Sequence, residues 1–454
     1  MPGAPETTGA AELLGAALPL WSVVPFVVLL TAVAILELVA QDWWSSLRNK
    51  ALVAAALAVP AAVQLGLGNG PAGVTALSHS LTDYLSFIVL LTALFVIAGG
   101  IEIKGSLAGT PLANTVMLGI GAVLANLIGT TGASMVLIRP YLRANAKRRR
   151  KAHLVVFFIL IVANAGGLLT PLGDPPLYLG FLKGVPFEWT LGLWGPWLFV
   201  NGVVLAIFNL VDQFVVNREE RADPREHLLD ELMVHEPLRV VGLRNVGFLA
   251  AVVLVVLGKG SGFGTGGEPW PFGVQEALLV AVAAASYLNT SRVIHEANLF
   301  SFRPMASVAI IFAGIFVTMT SPLLILNARA SELGLREPWQ FFWATGGLSS
   351  VLDNAPTYLS FSAVAAGQLG VDAGEPNYLA SLLQAPGGDA LLAAVSCGAV
   401  LMGCLTYIGN GPNLMVKELA EHRGVAMPHF FAYALAASVV MIPVFIATTA
   451  LFFR

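Results

Sequence analysis

Two aspartates lie inside long apolar stretches of this chain, and residues that break helices surround each of them. Asp174 occurs in GLLTPLGDPPLYLGF (167–181), and Asp353 occurs in SSVLDNAPTYLSF (349–361). A charged side chain at the centre of a bilayer costs roughly 2.5–3.5 kcal/mol on insertion scales, so such a residue usually has a function. Carboxylates bind protons, and they also bind small hard cations, which prefer oxygen ligands. We therefore interpret both aspartates as candidate ligands of a small metal cation or of protons.

A structural role is also open for both aspartates. Asp174 precedes Pro175, and Asp353 precedes a helix predicted to begin near Pro356. Asp before Pro at the first helical position is a common helix start. Asn410 would cap the corresponding second helix, and Asn354 is an alternative cap beside Asp353. Capping does not exclude ion binding, because a cap that faces a cavity can still coordinate an ion.

The stretches that contain these residues belong to a strongly apolar chain. Hydrophobic residues make up 57% and charged residues 11% of it, and the mean hydropathy is +0.78. Soluble domains contain about 25% charged residues. Apolar runs long enough to span hydrocarbon recur, and the alternating pattern of a transmembrane barrel is absent. The composition predicts an all-α polytopic membrane protein with the lipid bilayer as its partner, and the net charge of −3 gives no reason to expect nucleic acid.

Ten segments are predicted to span the membrane, and two more are predicted to be hairpins. The spans are approximately 18–40, 51–67, 82–101, 154–180, 192–216, 245–257, 272–290, 305–326, 389–410 and 428–452. The stretches at about 109–138 and 338–366 have polar residues in their middle, so we interpret them as re-entrant hairpins. The first span follows no basic flank and exceeds a typical signal core in length, which favours a retained helix.

With these hairpins the chain divides into two halves with the same order of elements. Each half, 1–216 and 245–454, has about five spanning helices, one hairpin and a broken helix, at about 154–180 and about 389–415. The charged stretch 217–244 joins them. Most of the 24 lysines and arginines then fall on one side. The positive-inside rule places that side and the linker in the cytoplasm, and both termini outside the plasma (inner) membrane. The halves are thereby predicted to form an inverted repeat, as in many secondary transporters.

The repeat is also visible in the residues of the two broken helices. GLLTPLGDPP (167–176) aligns with GCLTYIGNGP (403–412), which matches Thr170 with Thr406 and Asp174 with Asn410. The hairpin tips form a weaker pair, NLIGTTGAS (126–134) and SSVLDNAPT (349–357). Gly and Pro interrupt a helix and free backbone groups, which are tolerated at this depth only in a cavity or buried in protein. Freed carbonyls can bind a cation, so four breaks are predicted to converge on one site near the midplane.

Further polar residues near the breaks are candidates with two possible roles. Asn126, Thr130, Thr131 and Ser134 either bind the ion or satisfy the hairpin backbone. Asn164 either binds the ion or forms an interhelical hydrogen bond. None of the seven histidines lies deep in a predicted span, so a histidine proton relay is not expected. The chain has no Walker A sequence. We therefore expect no cofactor and an ion gradient as the energy source.

The order of apolar segments, the two hairpins and the paired T-x-x-G-[D/N]-x-P breaks resemble the ion transporter superfamily. Over nearly the whole chain the pattern is similar to that group, which includes arsenite, dicarboxylate and citrate carriers and sodium/proton antiporters. Within it, LDNAP (352–356) and PLGDPP (171–176) are most similar to the NhaD-type sodium/proton antiporters. The G-P-N sequence ending at Asn413 is also common among carboxylate and arsenite carriers. Sequences of this branch are often grouped with citrate transporters.

The resemblance implies a homodimer and an elevator-like mechanism. The hairpins and broken helices would form a mobile transport domain that slides against a scaffold made of the first three helices of each half. The resemblance also assigns ligand roles to the hairpin tip 126–134 and to a set of broken-helix and second-hairpin residues. That set is Thr170, Asp174, Asp353, Asn354, Thr357, Thr406, Asn410 and Asn413.

The function expected from these observations is secondary active transport that exchanges sodium, or lithium, for protons. The alternative is a sodium- or proton-coupled transporter of citrate or another carboxylate. A tricarboxylate needs cationic or strong donor partners. No lysine or arginine is predicted near the midplane, whereas two aspartates are, which favours the cation. An enzyme is not expected, because no nucleophile–base or metal-ligand cluster is found.

Overall fold

The computed structural model describes residues 8–104, 109–222, 239–265, 270–298 and 300–454. Helices dominate these residues, and the two short strands are β1 (Glu102–Lys104) and β2 (Arg239–Val241). The first half contains α1 (Thr8–Ala17), α2 (Val24–Val39), α3 (Gln41–Trp44), α4 (Leu47–Gly68), α5 (Gly70–Gly99), α6 (Pro111–Ala144), α7 (Ala152–Ile161), α8 (Pro175–Leu182) and α9 (Trp194–Ala222).

The second half of the chain follows β2. Its helices are α10 (Arg244–Ser261), α11 (Val274–Asn289), α12 (Arg292–Ala297), α13 (Arg303–Ala328), α14 (Pro338–Ser349), α15 (Asn354–Gln368), α16 (Tyr378–Gln384), α17 (Gly388–Met402), α18 (Gly411–His422) and α19 (Phe430–Phe452). Five short 3-10 helices complete the helical structure: Leu20–Val23, Ala165–Leu169, Phe187–Leu193, Ala330–Leu333 and Gly403–Leu405. One large core of buried apolar side chains unites both halves.

Nine helical stretches in the described part of the chain are long and apolar enough to cross a membrane. Two shorter apolar helices, Leu20–Leu36 and Val274–Asn289, accompany them. Many large apolar side chains on these helices are exposed, as a lipid-facing surface requires. The predicted all-α polytopic membrane protein is therefore confirmed. The inverted orientation of the two halves and the position of the termini stay predictions.

The helix α6 reverses direction at Gly129. This residue has φ 77° and ψ 156°, a conformation that glycine adopts without the steric cost of a Cβ. Near the two ends of α6, Asn114 and Asn145 exchange side-chain hydrogen bonds of 2.9 and 2.8 Å. A straight helix would separate them by about 46 Å. The two limbs therefore pack against each other, and Thr130 lies at the tip between them.

The second hairpin and the two broken helices are interrupted in other ways. Residues 350–353 separate α14 from α15, and α14 packs along α17. In the first half, residues 162–174 separate α7 from α8, and in the second half residues 403–410 separate α17 from α18. The broken helices predicted at about 154–180 and about 389–415 are thus each two helices with an irregular middle.

Several boundaries differ from the sequence prediction. The span predicted at 82–101 is the longer α5, which begins at Gly70, because Pro71 occupies its first turn without breaking it. The strands were not predicted, since three residues are too few to show a pattern. They pair antiparallel, with Ile103 opposite Val240, and tie the end of α5 to the start of α10. Most of the linker predicted at 217–244, residues 223–238, lies outside the described residues.

Candidate functional site

Asp174 is the residue on which the interrupted segments converge. Its side chain is buried, with 2% of its surface exposed. Thr130 Oγ1 donates to Oδ1 at 2.8 Å, and Asn410 Nδ2 lies 3.3 Å from the same oxygen. Asn354 Nδ2 donates to the other oxygen, Oδ2. These three donors come from the first hairpin tip, the second broken helix and the start of the helix after the second hairpin break.

The carboxylate of Asp174 does not cap its own helix. Asp174 occupies the N-cap position of α8 in an extended conformation, but its side chain accepts no hydrogen bond from the first turn. Asn410 occupies the same position before α18, and it also makes no side-chain cap. The structural alternative of a cap is therefore wrong for both residues. Packing turns both side chains away from the helix ends and towards the other breaks.

Asp353 plays the capping role instead. Its Oδ1 accepts a hydrogen bond of 3.0 Å from the backbone N–H of Ala355, at the start of α15. Its side chain is only half-buried. The adjacent Asn354 is fully buried and reaches Asp174. The two carboxylates thus have different surroundings, and Asp353 is linked to Asp174 through its chain neighbour rather than through a hydrogen bond of its own.

Two buried oxygen atoms beside these groups have no hydrogen-bond partner within the described ranges. They are Oδ1 of Asn354 and Oγ of Ser134. A buried acceptor without a donor costs about 1–3 kcal/mol, so each such atom calls for an explanation. The free oxygen of Asn354 belongs to the amide whose nitrogen binds Asp174. A cation held by Asp174 would find a neutral oxygen ligand there.

Three asparagines connect the two broken helices next to the carboxylate. Asn164 Nδ2 donates to Asn413 Oδ1 at 2.7 Å, and Asn410 Nδ2 lies 3.2 Å from Asn164 Oδ1. Asn413 Nδ2 donates in turn to the carbonyls of Gly403 and Thr406, each at 2.9 Å. Asn164 therefore forms the interhelical hydrogen bond that was one of its two predicted roles, and Asn413 satisfies freed carbonyls of its own break.

The threonines of the repeated motif hold each break to the hairpin of the same half. Thr170 Oγ1 donates to the carbonyl of Asn126, and Thr406 Oγ1 donates to the carbonyl of Ser350 at 2.5 Å. Asn126 itself accepts from the backbone N–H of Leu169 at 2.8 Å. These side chains therefore form hydrogen bonds with backbone groups around Asp174 and stabilise the breaks.

Thr357 and Thr131 are the remaining predicted ligands. Thr357 is buried and donates to the carbonyl of Asp353 at 2.9 Å, one turn earlier in the chain. Thr131 is half-buried and follows Thr130 at the hairpin tip. The structure thus brings Thr130, Asn354 and Asn410 onto Asp174, and it places the other predicted residues around them.

Many of the freed carbonyls are already occupied by side-chain donors. Trp197 Nε1 donates to Gly166 at 2.8 Å, Asn201 Nδ2 to Ala165 at 3.1 Å, and Tyr433 Oη to Cys404 at 2.8 Å. The helix that follows each broken helix, α9 or α19, satisfies these carbonyls, so they are not free to bind an ion. Sequence reasoning missed Trp197, Asn201 and Tyr433. The available signal was that these three residues have polar side-chain atoms and lie in the apolar span that follows each broken helix.

Residues 15–453 match a protein family described as "Putative citrate transport". The chain belongs to this family. It is therefore a multi-pass membrane protein of a transporter family, related to the citrate branch of the ion transporter superfamily. A search of curated proteins found no match.

At the candidate site, the carboxylate of Asp174 has no positively charged side chain of the described residues to balance its charge. All three side chains that bind Asp174 are uncharged, and no lysine or arginine of the described residues forms an ion pair with it. A buried ionised group without a counter-charge is unfavourable by several kcal/mol. Asp174 is therefore most stable with one positive charge added, which a proton or a small cation can supply.

Proposed function

We propose that this protein exchanges sodium for protons at Asp174. The observation that carries the proposal is the surroundings of that carboxylate, which is buried, bound by three neutral side chains and paired with no lysine or arginine of the described residues. A site with one negative charge accepts one proton or one sodium ion at a time. Mutual exclusion at a single carboxylate is the minimum that exchange requires.

The sodium ligands in this proposal are oxygens from three of the four breaks. Asp174 supplies the charge, Asn354 supplies the unpartnered Oδ1, and Thr130 supplies its hydroxyl oxygen. Asn410 orients the carboxylate by donating to Oδ1. Asp353 holds the start of α15 and so positions Asn354, and we propose no direct contact between it and the ion.

The wider mechanism is proposed from the resemblance to the antiporters. The breaks and hairpins would move together as an elevator-like transport domain within a homodimer in the plasma membrane. Both termini would lie outside and the linker inside. No bound cofactor is required, since sodium and protons are the cargo.

A sodium- or proton-coupled carrier of citrate is the second candidate, and the family match favours it. In that case Asp174 would bind the coupling ion, and the carboxylates of the substrate would be held by donors such as helix N-termini. The two candidates differ in whether proton movement needs a carboxylate substrate.

The deciding experiment uses purified protein in liposomes that contain a pH dye. A sodium gradient is imposed, with and without citrate. Sodium-driven proton movement without citrate is the expected result. Proton movement that begins only after citrate is added would replace the antiporter with the carboxylate carrier.

A further inference from the structure

A second polar cluster lies where α8 meets the helices α5 and α11. Gln275 on α11, Tyr178 on α8 and Ser86 on α5 are all buried, with 0%, 1% and 2% of their surface exposed. We call these three residues the seam cluster. A group of polar side chains buried between apolar helices is costly unless its hydrogen bonds are complete.

The hydrogen bonds of the seam cluster leave one oxygen free. Gln275 Nε2 donates to Tyr178 Oη at 2.8 Å, and Tyr178 Oη lies 3.4 Å from the carbonyl of Ser86, which can only accept. The amide nitrogen of Gln275 faces Tyr178, whose own proton is directed to the carbonyl of Ser86. Oε1 of Gln275 is then buried without a hydrogen-bond partner in the described part of the chain.

Charged groups border the seam cluster. Glu276 Oε1 accepts from Ser86 Oγ at 2.6 Å, and Lys259 Nζ approaches the same oxygen only to 3.8 Å. Lys183, just after α8, forms an ion pair with Asp83 on α5. The contact between Lys259 and Glu276 is long for a charge-assisted hydrogen bond, which is usually 2.7–2.9 Å. Glu276 can therefore give partial charge balance to a second cation nearby.

The seam cluster is close to Asp174 along the same helix. Tyr178 follows Asp174 by one turn of α8, a rise of about 6 Å. Its hydroxyl reaches α11 and α5, whereas Asp174 faces the hairpins. The seam cluster therefore lies about one helical turn from Asp174, on the way along α8 to Lys183.

We propose that the seam cluster is a second binding station for the transported monovalent cation. Its ligands are Gln275 Oε1, Tyr178 Oη and the carbonyl of Ser86, and Glu276 supplies nearby negative charge. The proposal rests on the proposed function, because it takes the cargo of Asp174 to be sodium. The station lowers the cost of moving the ion between Asp174 and the end of α8.

The test is the sodium dependence of exchange by Gln275→Met, which keeps the length of the side chain and removes its oxygen. The expected result is an apparent KM for sodium raised about tenfold, as expected for the loss of one neutral ligand, with kcat at saturating sodium retained. Gln275→Glu restores an oxygen at this place and should return the KM to within about threefold of the wild type. The matched control is Gln213→Met, since Gln213 is exposed on α9.

Tyr178→Phe is a second variant of the cluster, which separates the loss of an ion ligand from a folding defect specific to Gln275→Met. It removes one oxygen from the cluster and should also raise the KM without lowering kcat. A KM unchanged in both Gln275→Met and Tyr178→Phe, in a protein that Asp174→Asn inactivates, would overturn the station alone. A fall in kcat with an unchanged KM would assign the cluster a packing role and also overturn it. A wild-type protein that transports no sodium would overturn the station and the proposed function together.

Discussion

The two broken helices have nearly the same backbone, but only the first carries a charged side chain at its break. Asp174 has φ −146° and ψ 145°, and Asn410 has φ −153° and ψ 136°. The motif threonines match as well, with φ −140° and ψ 155° at Thr170 and φ −135° and ψ 168° at Thr406. In both motifs a glycine packs so closely that an added Cβ would clash with a backbone carbonyl, Gly173 against Gly167 and Gly409 against Gly403.

The two breaks differ in the side chain of the residue that precedes the second helix of each pair. The first break presents a carboxylate, and the second break presents an amide that donates to it at 3.3 Å. Asn164 and Asn413 are each present in only one half, and they bond to each other across the breaks. The repeated sequence therefore builds the same backbone framework in both broken helices. The difference between Asp174 and Asn410 gives the site one charge instead of two.

The largest expected effect is the removal of that charge. Asp174→Asn should reduce sodium/proton exchange at least about a hundredfold, because a neutral amide cannot balance a buried cation. The dye assay in liposomes measures it. The control is Asp389→Asn, an exposed aspartate at the start of α17 that accepts from Trp189. Normal exchange by Asp174→Asn would end the proposal that the charged break differs in function from the neutral one.

The second effect concerns the number of protons that compete with sodium. Protons occupy a carboxylate more as the pH falls, so the KM for sodium should rise on acidification. With one carboxylate at the site, the limit is about tenfold per pH unit. Asn410→Asp would give both breaks a carboxylate and should steepen this dependence. A KM for sodium that does not change with pH in the wild type would exclude competition at Asp174.

The third effect tests whether the framework is equal in both halves. Thr170→Val and Thr406→Val each leave a backbone carbonyl in a hairpin without its donor. Each should lower the free energy of unfolding by about 1–3 kcal/mol. Thr406→Val should cost more than Thr170→Val, because Thr406 Oγ1 also accepts from the backbone N–H groups of Ile408 and Gly409. Denaturant titration in detergent measures the loss, with Thr75→Val on the exposed face of α5 as the control. A loss in only one half would show that the frames are not equivalent.

The smallest effect separates the two aspartates. Asp353→Ala removes a helix cap and should lower the free energy of unfolding by ~1 kcal/mol, whereas Asp353→Asn should preserve it, because Asn caps as well as Asp. Exchange by Asp353→Asn should stay within about threefold of the wild type. If Asp353→Asn inactivated the protein as strongly as Asp174→Asn, Asp353 would be an ion ligand rather than a cap.

Much of the fold could be predicted from the sequence because its causes are local. Apolar runs of spanning length define most helices, and Gly and Pro mark the places where α7 and α8, or α17 and α18, separate. The similarity between 167–176 and 403–412 identified the paired breaks without any coordinates. The tip of the first hairpin was placed near its true position at Gly129, because small and polar residues are concentrated there.

The roles of individual polar residues could not be predicted in the same way. Asp174 and Asp353 both stand before a helix with Pro in its first turn, yet only Asp353 caps. The local sequence is compatible with either role. The choice depends on whether distant donors compete for the carboxylate, and at Asp174 three of them do.

The sequence by itself therefore determined a helical membrane protein with two similar broken helices. It also determined that the first break carries a carboxylate, Asp174, where the second carries the amide Asn410. Only the tertiary structure decided which groups meet at the carboxylate. Thr130, Asn354 and Asn410 lie 44, 180 and 236 positions from Asp174 along the chain. Hydropathy and helix breaking are properties of neighbouring residues and can be read locally. A hydrogen bond between residues so far apart depends on how the hairpins and broken helices pack, and packing is settled by the whole chain at once.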